Sequence, residues 1–238
     1  MSDRALIDPD NDATWPAALR SIVAAAAESS DDEETWAFAD DSGLRAALGN
    51  VGLVAYHATR LLPHEIEDIQ TDGLALLTET LISRRLVAAV HHGYLSMGVA
   101  TALESGNALR SRGGENRVGQ ACLIIGAAVF AEHPYGVRPL LSVWGGEGIN
   151  FTEAAEPWKS ELEALGTPVV VVIALPHTPV SDMAVYPSLL SVFVGTYRGD
   201  MRSADVFWRD GDIPGSCILT TWQPGDANYD RFEGLPHR

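Results

Sequence analysis

Residues 53–74 read LVAYHATRLLPHEIEDIQTDGL, and this stretch decides the fold. The apolar, β-branched run VGLVAY just before and into it (51–56) predicts a buried strand. The pattern then changes abruptly. His57-Ala58-Thr59 puts an imidazole and a hydroxyl where the strand hands over to a helix. Pro63 suits a first helical turn, because the N–H it lacks would be unpaired there anyway. Leu62, Ile66 and Ile69 recur near the 3.6 period, and Gly73 follows as a C-cap. Two ordinary roles are open to the polar pair. His57 can satisfy backbone groups at the strand end, and Thr59 can serve as the helix N-cap.

Upstream, residues 1–50 hold eleven acids against Arg4, Arg20 and Arg45, a net of −8 out of −16 for the whole chain. WPAALRSIVAAAAE predicts a helix opened by Pro16, SSDDEE interrupts it, and TWAFADDSGLRAALG predicts a second helix. This is an acidic N-terminal helical extension with a frayed start. Downstream, TETLISRRLVAAVHHGYLSMGVATALESGN predicts two helices broken near Gly93. SRGGENRVG is a Gly-rich loop, QACLIIGAAVF a strand or short buried segment, and HPYGVRP a turn. PWKSELEALG predicts a short helix, and TPVVVVIALP is the plainest strand. SLLSVFVGTY and SCILTTW predict two more strands. Helices, one strand, helices and then mostly strands lack a regular β–α alternation, so the fold class is α+β. Neither GxGxxG after a strand nor GxxxxGK[ST] is present, which removes dinucleotide-fold and P-loop readings.

Acids outnumber bases 32 to 16 in the 238 residues. That argues against a nucleic-acid partner and against a basic membrane-surface protein. No apolar run has the length of a bilayer span. Cys122 and Cys217 stand singly in apolar stretches, which argues against a disulfide framework or a thiolate zinc site. A cytoplasmic location is the expectation.

The order apolar strand, Tyr56-His57-Ala58-Thr59, PHEIEDI, Gly73-Leu74 resembles the first NAD-binding segment of the ADP-ribosyltransferase superfamily. The similarity is to the branch of poly(ADP-ribose) polymerases and diphtheria toxin, and it covers about twenty residues directly. Ala58 departs from it, standing where the family has Gly. The resemblance implies a split β-sheet core over residues 51–238, with the 1–50 helices covering one edge. It implies NAD as substrate and transfer of ADP-ribose to an unidentified protein or small-molecule acceptor, or to water. His57 would bind a ribose hydroxyl, the Ala58 backbone the carboxamide, and Thr59 the ribose.

The family also needs a carboxylate facing the developing positive charge, near the start of a late strand. Glu147 in SVWGGEGINF is the first candidate, because two glycines ahead of it permit positive φ and Trp144 would wall a pocket. Asp205 and Asp212 are the alternatives. Tyr135 is the first choice to stack on the nicotinamide, with Tyr94 and Tyr56 also available, and Arg117 would meet the pyrophosphate.

Other constellations are weaker. His57, His64 and Glu65 lack the HExxH spacing, and His91-His92 point apart on a helix, so no metal site is expected. No GxSxG elbow is present, and both thiols lie in apolar surroundings that disfavour a nucleophile. Arg84-Arg85 are expected to pair with nearby acids. The rival reading is a non-catalytic acidic protein that binds a basic partner, as antitoxins and inhibitors do, or a transferase-like fold with a decayed site. The two separate on one question: whether His57 and Glu147 reach the same cleft.

Overall fold

The computed structural model describes residues 6–29, 42–48, 51–111, 114–131, 134–175 and 184–237. The strands are β1 (Leu6–Ile7), β2 (Gly52–Leu61), β3 (Gly73–Leu74), β4 (Ala121–Ile125), β5 (Thr167–Leu175), β6 (Ala184–Tyr186), β7 (Ala204–Trp208), β8 (Ile213–Pro214) and β9 (Ile218–Trp222). Seven of them form one sheet: six run antiparallel in the order β6-β7-β4-β2-β5-β9, and β1 adds parallel to the start of β2. β3 and β8 make a separate two-stranded ribbon. Mixed α and β elements around an antiparallel sheet match the α+β expectation.

β5 is buried along nearly its whole length because the sheet is covered on both faces. One face packs on the Ala17–Ser29 and Leu189–Arg198 helices. The other packs under the Pro134–Ser142 helix and a set of C-terminal aromatics, Trp222, Tyr229 and Phe232. With no wet face, the strand reads as an unbroken Val/Ile run instead of alternating. Leu19, Val23 and Ala27 of the N-terminal helix share a core with Ala55, Val171 and Val206 of the sheet.

β2 positions the site. It pairs with β5 from Leu53↔Leu175 to Leu61↔Thr167, so it runs five residues beyond the Val51–Tyr56 expectation. Thr59 therefore lies inside the strand and is not the helix N-cap. Leu62 takes that place, and its amide donates to Glu65 Oε2 at 2.8 Å. On its other edge β2 holds β1 at Gly52 and Leu53, then meets β4 at a single ladder position, Tyr56↔Ile124. Beyond Tyr56 the sheet opens between β2 and β4. The Pro63–Asp72 helix follows and ends at Gly73. Gly73 has φ +100°, and a Cβ there would lie 1.9 Å from the Ile213 carbonyl, so no side chain fits where β3 meets β8.

The two helices on either side of Gly93 form as predicted, at Glu79–His91 and Met97–Ser105, N-capped by Thr78 and Ser96. Two expectations fail. SLLSVFVGTY is a helix, Leu189–Arg198, N-capped by Ser188 and closed by left-handed Gly199. Its residues 189–195 are all buried, and a short apolar run rich in Val and Phe reads as a strand. HPYGVRP is no turn, because Pro134–Ser142 is a helix with Pro139 inside it. The predicted frayed start (1–5), SSDDEE from residue 30 on, and all of TWAFADD lie outside the described residues, while Ser42–Leu48 is helical. Among the described residues no helix is long and apolar enough to cross a membrane.

Candidate functional site

A cavity of about 530 Å³ lies where β2 and β4 part. It is lined by His57, Ala58 and Thr59 of β2, Ala121 to Ile124 of β4, and the Gly145–Gly148 turn. Arg117, Asp205 and Asp212 line it as well. A cavity of this size with a few convergent polar groups is the ordinary form of a small-ligand site.

His57 stands at the point of divergence. Its Nδ1 lies 2.9 Å from the Cys122 carbonyl, so the ring bridges the gap that the ladder leaves open. A carbonyl only accepts, so Nδ1 carries the proton and Nε2 is left as an acceptor. Burial lowers the pKa of the ring and outweighs the Cys122 carbonyl and Glu147, which push it up. The imidazole is neutral at pH 7.

Glu147 reaches the same cavity because of two glycines. Gly145 (φ +114°) and Gly146 (φ +60°) turn the chain sharply after the buried Trp144 and start the short Gly146–Ile149 helix. A Cβ on Gly145 would come within 2.7 Å of the Ile149 side chain. Glu147 Oε1 takes a hydrogen bond from Arg117 Nη2 at 3.2 Å, and Oε2 takes one from the Cys122 thiol at 3.3 Å. Arg117 Nη1 in turn lies 3.1 Å from Cys122 Sγ, and its guanidinium sits 5.2 Å above the Phe207 ring. Burial, then Glu147, pushes the Cys122 thiol up to about 12 against the pull of Arg117. Cys122 is thus a neutral hydrogen-bonding group, not a nucleophile. Asp205, on β7 opposite Ile124, keeps more than a third of its surface open. Its pKa is nevertheless raised by burial of the carboxyl and then by Glu147, with Arg117 opposing. Asp212 accepts from the Leu76 amide at 2.7 Å.

A second charged unit supports the wall. Glu65 Oε1 meets Arg85 Nε at 2.6 Å, while Oε2 accepts from the Leu62 amide and the Trp144 indole, each at 2.8 Å. Arg85 also lies 5.0 Å above the Trp144 ring. Burial alone would raise the Glu65 pKa, but Arg85 and these donors hold it below the ordinary carboxylate value. Trp144 is therefore not a cavity wall. It is fully buried and orients the Glu65–Arg85 pair. The expected pairing of the double arginine with acids holds for Arg85.

The remaining candidates divide. Tyr94 does not line the cavity. It packs at the edge of the core beyond His64 and His92, whose rings stack at 4.3 Å. Tyr135 lies in the first turn of the Pro134–Ser142 helix, and its side chain is outside the described residues. Tyr56 faces away from the cavity, buried against Phe130 and Trp222. Reading the sequence missed Cys122 and Phe207 as neighbours of Arg117. Their only signal is alternation along β4 and β7, which is readable once the strands are paired. Among the described residues no group of three His, Cys, Asp or Glu side chains is placed to hold a metal ion.

Comparison with protein-family models, with curated proteins and with solved structures returned no match.

Proposed function

We propose that this cavity binds NAD and that the protein transfers ADP-ribose to a nucleophilic acceptor, or to water, on an ADP-ribosyltransferase-like split sheet. The observation that carries the reading is the convergence of His57 and Glu147, 90 residues apart in sequence, on one open cavity at the parting of β2 and β4. Asp205, close to the start of the late strand β7, faces the same space. A non-catalytic acidic binder has no need to bring an oriented imidazole and several carboxylates into one cleft.

In this reading the bond from ribose C1′ to the nicotinamide nitrogen breaks, nicotinamide leaves, and the acceptor oxygen or nitrogen bonds to C1′ and loses a proton. Neutral His57 accepts a hydrogen bond from a ribose hydroxyl through Nε2, while its bond to Cys122 fixes the ring plane. The Ala58 backbone and Thr59 contact the carboxamide and the ribose. Glu147 faces the positive charge that develops at C1′, where fixed opposite charge in a partly desolvated site is most effective. Asp205 is the second carboxylate, and with its raised pKa it is suited to take the acceptor's proton. Arg117 meets the pyrophosphate.

The test is to titrate NAD and follow nicotinamide release for the wild type, His57→Ala, Glu147→Gln and Asp205→Asn. Loss of one hydrogen-bonding or charge-facing group should lower release by about 100-fold or more for His57→Ala and Glu147→Gln. Pure wild-type protein that neither binds NAD nor releases nicotinamide, with basic, protein and small-molecule acceptors supplied, would sink the proposal.

A further inference from the structure

Glu147 is not free in the cavity. One of its oxygens is held by Arg117 and the other by the Cys122 thiol. Arg117 is under-used in return. It makes one contact to a carboxylate oxygen, and its second terminal nitrogen lies against a thiol sulfur, a weak acceptor. A guanidinium is a planar fork built for two parallel bonds to a carboxylate or a phosphate. This one sits 5.2 Å above the Phe207 ring and is 40% exposed, with Glu147 at 29%. A pair so open to water contributes little to folding and exchanges partners readily. Arg85 is the contrast: its carboxylate partner Glu65 is held by two further donors and cannot leave.

We propose that Arg117 is a phosphate subsite occupied in the empty protein by Glu147, and that an entering pyrophosphate group exchanges with it. The exchange rests on the NAD reading only for the identity of the ligand; the subsite itself asks for a phosphate or pyrophosphate. Arrival of the more highly charged phosphate moves Arg117 from Glu147 to the ligand. Glu147, released from its counter-ion, then carries an uncompensated negative charge beside the sugar. The two elements that meet in the pair are separate, the Gly114–Arg117 turn and the Gly146–Ile149 helix, so neither has to unfold for the pair to open. The arrangement makes the reactive carboxylate dependent on ligand. It is neutralised while the cavity is empty and exposed once the phosphates are seated.

Calorimetric titration of the full chain with inorganic pyrophosphate and with ADP-ribose, at fixed ionic strength, tests this. The variants are Glu147→Gln, Arg117→Gln, Arg117→Lys and the Glu147→Gln/Arg117→Gln double. Removing the resident counter-ion should make Glu147→Gln bind pyrophosphate about 5-fold more tightly than the wild type, the most that a half-exposed pair would hold back. Arg117→Gln should weaken it at least 10-fold, and the double variant should match Arg117→Gln. Arg117→Lys keeps the charge without the fork and should fall between, which separates loss of the site from loss of the fold. The exchange is overturned if Glu147→Gln binds no more tightly than the wild type, if the double variant keeps the gain, or if pyrophosphate binds neither protein. Tight pyrophosphate binding by Glu147→Gln with no NAD binding or cleavage by the wild type would uphold the exchange and remove NAD. NAD cleavage by the wild type with equal pyrophosphate affinities would do the reverse.

Discussion

Tyr56 and His57 are neighbours on one strand and live in opposite surroundings. Tyr56 points into a closed aromatic cluster. Its ring packs against Phe130 and Trp222, and its hydroxyl donates to Asp10, which also accepts from the Ala127 amide. His57 points to the face where β2 and β4 part and a cavity remains. The period of two along a strand makes this possible: one residue helps to hold the fold while the next is left for a ligand. The difference between the two sides is a difference in partners. The Tyr56 hydroxyl meets a carboxylate from a distant segment. In the cavity that His57 lines, Glu147, Asp205 and Asp212 keep part of their surface open.

Breaking the closed cluster at Tyr56 should therefore cost more stability than removing the His57 ring from the cavity. Tyr56→Ala removes a large ring from between two aromatics and takes one hydrogen-bond donor from Asp10. It should lower unfolding free energy by about 3–5 kcal/mol in a denaturant titration. His57→Ala, one residue away, deletes a single hydrogen bond next to existing space and should cost about 1 kcal/mol. Equal losses at the two positions would mean that the cavity face is as much a part of the core as the aromatic face.

Glu65 is the place where the open side needs structure, so it sharpens the contrast. Glu65→Gln leaves the Arg85 guanidinium largely buried without its counter-charge. The expected loss is about 3 kcal/mol at pH 7. The pH dependence follows from the lowered folded pKa of Glu65. The unfolded chain then takes up the proton first, so the contribution is fully present above the ordinary value of 4.5 and is lost as pH falls through the folded value. Stability of the wild type should drop below about pH 4.5 more steeply than that of the variant. Parallel curves for the two proteins would remove Glu65 as the anchor of the wall.

How much of this was legible in the sequence depends on how local each cause is. The β2 run, the Pro63 start and the Gly73 stop are local, and they form as the residues suggest, apart from the added turn-free residues to Leu61. The extension comes from β5, more than 100 residues away, which pairs with β2 to its end. Leu189–Arg198 reads as a strand because its buried residues 189–195 form a short, largely apolar run with Val and Phe, which a strand and a buried helix share. The double glycine before Glu147 marks a sharp turn in any context, so that acid was nameable from sequence. Trp144 was nameable too, but its role was not, because its indole partner Glu65 belongs to an element 79 residues away. Cys122 entered the site only through the register of β4.

The smallest expected effect runs in the opposite direction and tests the closed side from within. Asp10 lies in the acidic N-terminal segment, yet its carboxyl is buried at the Tyr56 hydroxyl and the Ala127 amide. Burial raises its pKa, and Asp8 adds to this, while the Ala127 amide, Tyr56 and Arg231 oppose. The sign is the reverse of that for Glu65. The folded protein holds the proton more tightly than the unfolded chain, so stability falls as pH rises from the ordinary value of 3.8 through the folded pKa. Asp10→Asn keeps an oxygen for the Ala127 amide and removes the ionisation. It should leave stability near pH 3 within about 0.5 kcal/mol and raise it by up to about 1 kcal/mol at pH 7. Urea titrations of both proteins at the two pH values give the comparison. A variant less stable at pH 7 than at pH 3 relative to the wild type would mean that the charged form of Asp10 holds the N-terminal segment to the sheet, and that the closed side is not neutral at its centre.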